Sequence, residues 1–445
     1  MTIQQAATQR PRLLQAMVDS FRQPDVRKKI LFTFAMLIVF RFVAHVPIPN
    51  VDRTALQNAF NGSAVLDFLS TFSGGTLKNL SVAALGVYPY ITAQIVVQIL
   101  TPLVPKLREL QDEGEQGRNR IMLYTVWLTV PLCLVQGYGQ MLFINQQGGN
   151  VVPNFGFQHD VLATFATLAT LTAGTMFLVW IGDLIDEHGV GNGVSVIIFA
   201  GIVAGMPGLI PGFSTQSIIA VIGIILFAIL LVFLICFFQE ATRRVPVQYA
   251  RSSFRGGRMY RQQGQSHIPL RVNMAGMIPL IFAYSIMILP PVIGSYFTST
   301  GGWVSSVANW FVNQFQGGRG GTGTGWYWII LFVMVIVFTF FYTMVQYQQQ
   351  QISKNLQRQG AFIPGIRPGP PTEAYLMRVV TRITWAGAIF LGVIAIMPFF
   401  IGLGTNTKAL TVSAAGFLIV VAVVIDTMKQ LEAQLLMRNY EGFIR

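Results

Sequence analysis

Residues 86–91 read GVYPYI and residues 276–281 read GMIPLI, two copies of the pattern G-x-x-P-x-I. Each copy sits inside a long apolar run, near 77–101 and 272–297. Glycine frees the backbone and proline removes an N–H donor, so each copy predicts a break in a membrane-spanning helix. Further runs of spanning length lie near 30–47, 121–143, 160–181, 193–210, 216–238, 326–347, 379–403 and 409–428. The interrupted runs are then second and seventh of ten, equivalent places if the spans form two halves of five. An odd number of spans turns one half over relative to the other. Paired Gly/Pro-interrupted spans point to the functional centre of such inverted repeats. Gly and Pro are also common in membrane helices, so a chance match is the competing explanation.

Composition supports the membrane reading. The 445 residues are 53% hydrophobic and 11% charged, against about 25% charged in soluble domains. The net charge of +13 raises a nucleic-acid partner, and its placement decides the matter. Of 30 Lys and Arg residues, 25 fall in the N-terminal arm, the tail and alternate loops, counting Arg382 at the start of the 379–403 run, and four on the opposite side, counting Lys78 at the start of 77–101. The positive-inside rule then puts both termini in the cytoplasm. The charge is mainly topological, although a basic inner face could meet an RNA-bearing partner. Cys133 and Cys236 each lie in an apolar run without Cys or His at ligand spacing, so neither a disulfide nor a zinc site is implied. No short apolar region with a small-residue cleavage site opens the chain, so no removable signal peptide is expected.

Enzyme motifs are weak. His45, His159, His188 and His267 are scattered, with neither H-E-x-x-H nor G-x-S-x-G. Gly318 to Gly323 matches G-x-G-x-x-G inside a polar loop with no preceding strand, so no cofactor and no catalysis are expected. Ion-coupled carriers need a midplane charge. Here Arg41 is the one clear intramembrane charge, while Asp183, Asp186, Glu187 and Asp426 lie near cytoplasmic ends. Branched aliphatic side chains at the centre suit a constriction that gates by dewetting. A sealed pore is favoured, with an inverted-repeat small-solute transporter as the alternative.

Two stretches fall outside the spans. Residues 1–29 form an arm whose Leu13, Leu14, Met17, Val18 and Phe21 recur at helical spacing among arginines, as in an interfacial amphipathic helix. Residues 63–75, SAVLDFLSTFSGG, are apolar enough to seek burial. About 13 helical residues reach about 20 Å, short of a core about 30 Å thick. Asp67, Ser70, Thr71 and Ser73 tolerate water, and Gly74 and Gly75 supply a hinge.

Five stretches in order along the chain resemble the SecY/Sec61-alpha family, the channel-forming subunits of the Sec protein translocon. They are FRFVAHVPIPNVD (40–52), FSGGTLKNLSVAALGVYPYITAQIVVQIL (72–100), GTMFLVWIGDLIDEHGVGNGVSVIIFAGIVAGMPG (174–208), QSHIPLRVNMAGMIPLIFA (265–283) and AFIPGIRPGPPTEAYLMRVVTRIT (361–384). The resemblance implies an all-α polytopic protein with two inverted five-helix halves, 30–210 and 211–428, around an hourglass pore. The cytoplasmic parts would be the arm 1–29, the 6/7 loop 239–271, the 8/9 loop 348–378 and the tail 429–445.

The resemblance further implies a passive conduit for unfolded secretory polypeptides across the bacterial plasma membrane, releasing transmembrane segments sideways into lipid. By position, its pore ring falls on Val87, Ile91, Val194, Ile198, Ile281 and Ile419, with Val at 87 and 194 where relatives often carry Ile. Its plug falls on residues 63–75, including Leu66, Asp67, Phe68, Phe72, Gly74 and Gly75. Spans two and seven are its lateral-gate helices, with Gln98 and Asn273 at polar gate positions. Docking of cytosolic partners falls on Arg243, Arg244, Arg251, Arg255 and Arg258 in the 6/7 loop and on Arg367 in the 8/9 loop. The implied partners are SecE and SecG subunits, the SecA motor ATPase, the ribosome with its RNA and proteins, signal peptides and nascent chains, and membrane lipids.

Overall fold

The structure, a computed structural model, describes residues 23–49, 51–60, 70, 73, 75–148, 151–153, 155–157, 160–209, 218–255, 258–297, 302–315, 325–350, 352–404 and 413–441. The amphipathic stretch of the N-terminal arm lies outside the described residues.

The first half contains α1 (Pro24–Val43), α2 (Arg53–Phe60), α3 (Tyr88–Leu103), α4 (Pro105–Asp112), α5 (Glu115–Gly148), α6 (Val161–His188) and α7 (Gly193–Gly205). The second contains α8 (Ile218–Glu240), β1 (Thr242–Arg255), β2 (Arg258–Arg271), α9 (Ile278–Phe297) and α10 (Gly302–Phe315). It continues with α11 (Gly325–Gln350), α12 (Ile352–Arg358), β3 (Ala361–Phe362), α13 (Pro370–Gly404) and α14 (Ser413–Glu441).

Among the described residues, five helices are long and apolar enough to cross a bilayer, or six if α3 and α4, bent by 100° at their junction, count as one broken span. Two of the remaining expected runs depart visibly from a long helix. The run at 77–101 is helical only from Tyr88, because residues 75–80 and 82–87 form successive turns, with Leu80 and Gly86 at φ +41° and +60°. The helix α7 has 13 residues and is shorter than the apolar run that contains it.

The apolar residues divide between an inner cluster and an outer belt. Phe40, Val87, Ile91, Leu178, Ile198, Ile281, Leu331, Leu391 and Ile419 are buried in one cluster that draws on most of the long helices. Outside it, α8 exposes Ile222, Leu226, Ile229, Phe233 and Phe237, and α1 exposes Leu31, Phe34, Ile38 and Phe42. So large an apolar belt marks a membrane surface. Lipid tails remove most of the hydrophobic drive between helices, so close packing over small residues matters more. A Cβ on Gly193 would lie 2.0 Å from the Gly182 carbonyl oxygen, and one on Gly174 would lie 2.0 Å from that of Val82. Glycine is therefore what lets α6 meet α7 and the 75–87 segment backbone to backbone.

The fold is not wholly α. A three-stranded antiparallel sheet, ordered β2-β1-β3, stands beyond the helices. Its signal was legible as alternation: Arg244 and Pro246 are exposed while Val245 and Val247 are buried. Val245, Val247, Leu270, Leu356, Ile363 and Leu376 form a separate small core beneath it.

Candidate functional site

The two G-x-x-P-x-I copies adopt the same local geometry. Gly86 and Gly276 take left-handed φ values of +60° and +63°, which a side chain resists. Helices begin two residues later, at Tyr88 and Ile278, so Pro89 and Pro279 both occupy the second helical position. There the missing N–H is no loss, since the first helical N–H groups have no intrahelical acceptor. Ile91 N–H then donates to Val87 O at 3.1 Å, and Ile281 N–H to Met277 O at 3.3 Å. Each motif thus delivers its final isoleucine to the first turn of a new helix. Both side chains are buried, 6% and 5% exposed.

Val87, Ile91, Ile198, Ile281 and Ile419 belong to one buried cluster, and Val194 packs against it half-buried. Two caps fix the start of α7, which carries Val194 and Ile198. Gly193 N–H donates to Asp186 Oδ1 at 2.8 Å, and Ser195 N–H to Asn192 Oδ1 at 3.1 Å. Asp186 therefore serves as a structural acceptor, not a midplane charge. The assembled side chains hold no fixed charge, and such a group excludes water and ions by being apolar.

A hydrogen bond joins the two helices beside this cluster, and others tie each of them to its neighbours. The Tyr88 hydroxyl on α3 donates to Ser285 O on α9 at 2.6 Å. Ser285 lies one turn beyond Ile281, and Tyr88 follows Val87. One turn along the same face of α3, Gln136 Nε2 of α5 donates to Thr92 Oγ1 at 3.3 Å. The helix α9 is also held by Tyr284 Oη donating to Ala395 O at 3.1 Å, and by Tyr296 Oη donating to Val135 O at 2.6 Å. None of these tyrosine bonds was read from the sequence, because the acceptors are backbone carbonyls distant in the chain.

The polar gate candidates stand apart from one another. Gln98 comes within hydrogen-bonding reach of Tyr342 on α11. Asn273 Nδ2 donates to Gln239 Oε1 at 3.2 Å and to Gly276 O at 3.1 Å, so it braces the turn that precedes α9. A cavity of about 1070 Å³ runs along α3 past Tyr90, Gln94, Gln98 and Thr101, bounded by Thr125 of α5 and Tyr347 of α11.

Most of the half-length segment lies outside the described residues, including Leu66, Asp67, Phe68, Phe72 and Gly74. Its end is described. Ser70 and Ser73 are 1% and 7% exposed. Ser73 Oγ satisfies its polarity by donating to Ser70 O at 3.1 Å and accepting from Leu77 N–H at 3.2 Å. Gly75 takes φ +78° and its N–H donates to Ser70 O at 2.6 Å.

The basic loops form one unit. Gln248 pairs with Phe362 and Tyr249 with Ala361, so β3 ties the 8/9 loop to the hairpin of the 6/7 loop. Arg243 and Arg244 are exposed at the root of the hairpin. Arg251 pairs in register with Gln262, and Arg255 with Arg258 beside the tip. Exposed Arg367 sits between Gly365 at φ +81° and Gly369 at φ +110°, and Thr372 Oγ1 donates to its carbonyl at 2.8 Å. Among the described residues no group of three or more His, Cys, Asp or Glu side chains could hold a metal ion.

A polytopic helical membrane protein, with two matched broken helices meeting at an uncharged aliphatic centre, is the class that this geometry defines. The SecY sequence profile matches residues 81–428. The "Protein translocase subunit SecY" of Halalkalibacterium halodurans is 40% identical over 438 residues, covering 96% of this chain and 98% of that protein. The chain belongs to the SecY family, a family of channel subunits and not of enzymes. Its fold is shared with a SecY structure described as one whose plug domain stabilises the closed state of the translocation channel and maintains a membrane seal. That match has TM-score 0.57 and 15% identity, over 94% of this chain and 96% of the other. Sec61 in the canine ribosome–channel complex from the endoplasmic reticulum also matches, at TM-score 0.60 and 16% identity over the same shares.

Proposed function

We propose that the chain is the pore-forming subunit of a protein translocase, a passive conduit for unfolded secretory polypeptides that also releases transmembrane segments sideways into lipid. The observation that carries this reading is the pair of matched helix starts at Gly86 and Gly276, which place Ile91 and Ile281 in one buried aliphatic cluster. Repeated geometry at equivalent places supports ten spans in two inverted halves. Val87, Ile91, Val194, Ile198, Ile281 and Ile419 form the ring that seals the resting pore, with residues 63–75 as a plug on its outer side. The interface of α3 and α9 is the lateral gate, with Gln98 and Asn273 on its cytoplasmic flank.

The hairpin arginines, Arg243, Arg244, Arg251, Arg255 and Arg258, together with Arg367 form a docking face for the SecA motor or the ribosome. Arginine suits this role because its planar fork meets carboxylates and phosphates in pairs of hydrogen bonds. SecE and SecG complete the complex in the bacterial inner membrane, both termini of this chain facing the cytoplasm. A small-solute transporter is not favoured, since the relatives are translocase subunits and the central cluster is uncharged.

The seal is tested by ion flux. In proteoliposomes holding the full complex, replacing both Ile91 and Ile198 with Ala should raise chloride leak while polypeptide transport continues. An unchanged leak in a folded, transport-competent variant refutes the aliphatic seal.

A further inference from the structure

The helix α10, between the seventh and eighth spans, takes no part in the ring, the gate or the docking face. Its sequence GWVSSVANWFVNQF contains no charged residue. At 3.6 residues per turn its side chains sort into arcs. Trp303, Val307 and Trp310 share one stripe at i, i+4 and i+7, while Ala308 and Val312 lie roughly opposite. Ser305, Ser306 and Asn309 occupy the polar arc. Among the described residues the two apolar stripes are unequally buried. Ala308 and Val312 are 6% and 5% exposed. They seat α10 on α9 where a Cβ added to Gly294 would lie 2.8 Å from Val312 Cγ2 and 3.3 Å from Ala308 O. Trp303, Val307 and Trp310 are 79%, 46% and 56% exposed.

We propose that lipid covers this second stripe. The helix α10 lies in the plane of the bilayer's outer interface, its two tryptophans at headgroup level and its Ser/Asn arc toward water. Three observations favour a lipid surface over a protein partner. Residues 298–301 and 316–324 are the whole tether to α9 and α11, so α10 stays at the boundary where those helices end. Tryptophan concentrates at that boundary because its ring is apolar and its N–H is polar. The neighbouring helices also expose apolar side chains, Ile293 near the end of α9 and Trp326 at the start of α11 being 52% and 68% exposed. Through Gly294, an interfacial α10 anchors the outer end of α9, one of the two proposed gate helices. The assignment to the outer side rests on the orientation proposed above; the lipid contact does not.

The test uses the full complex in phosphatidylcholine/phosphatidylglycerol proteoliposomes, with spin labels at single cysteines in a Cys133→Ala, Cys236→Ala background. Labels at 303 and 307 should collide severalfold more with oxygen than with a water-soluble nickel chelate, and labels at 305 and 309 the reverse. Nickel-dominant collisions at 303 and 307 overturn the proposal, and so does shielding from both reagents, which means that a second copy or another protein covers the stripe. A membrane-impermeant thiol reagent on Asn309→Cys reads the side separately. Labelling only from inside refutes the orientation and leaves the lipid contact standing. Without cysteine changes, brominated phosphatidylcholine should quench tryptophan emission less in Trp303→Phe than in the parent; equal quenching also overturns the proposal.

Discussion

Replacing Tyr88 with Phe removes one oxygen and leaves the ring, its packing and the proposed seal in place. What is lost is the 2.6 Å bond from the hydroxyl to Ser285 O, which joins α3 to α9, together with a contact to the Thr92 side chain within α3. Net values for such bonds are about 0.5–1.5 kcal/mol in proteins and average about 0.6 kcal/mol between membrane helices. The Ser285 carbonyl lies within α9 and keeps its helical N–H partner, so no buried acceptor is orphaned and the cost stays near the middle of that range. About 1 kcal/mol shifts an equilibrium roughly fivefold. If this bond stabilises only the closed arrangement of the two helices, Tyr88→Phe should raise the resting open fraction by about that factor. Single-channel recording of the purified complex in planar bilayers reads it directly. A parallel measure is the loss of disulfide trapping between cysteines placed in α3 and α9. An open fraction identical to the parent's, in protein that unfolds at the parent's temperature, refutes the role of this bond as a closed-state latch.

Two glycine substitutions separate backbone strain from crowding. Gly276→Ala adds a methyl group with nothing within 4 Å, so only its left-handed φ resists, and thermal unfolding should show a loss of about 1–2 kcal/mol. Gly193→Ala drives a methyl group to 2.0 Å from the Gly182 carbonyl oxygen; α6 and α7 must part, and the loss should exceed that of Gly276→Ala in the same assay. Equal losses would show that close packing of those helices carries no special weight. On the basic face, Arg367→Glu should slow motor-driven transport severalfold while leaving folding and resting conductance unchanged. Undiminished transport refutes Arg367 as a docking contact.

How much of this was legible in the sequence depends on how local each cause is. The break at Gly86 and Gly276 was readable because both the left-handed glycine and the early proline act within one turn of chain. The aliphatic character of the centre was readable for the same reason that charge patterning was: each residue's chemistry speaks for itself. The sheet was missed because a stretch rich in arginine drew attention to charge, while the alternation of Val245 and Val247 with exposed neighbours was the structural signal. The particular partners of Asn273 were not readable. A polar side chain in an apolar run signals a hydrogen bond but not its acceptors, here Gly276 O and Gln239 Oε1 on α8. Tyr88 carried no sequence signal at all, since a carbonyl acceptor 197 residues away looks like every other carbonyl.

The account's central claim is that polypeptide passes through the ring, and one measurement tests it most directly. A photo-crosslinking amino acid at Val87 or Ile281 is combined with a secretory chain stalled partway across the membrane. Crosslinks from both positions to successive residues of the stalled chain are predicted. A chain demonstrably in transit that crosslinks from neither position would contradict the claim.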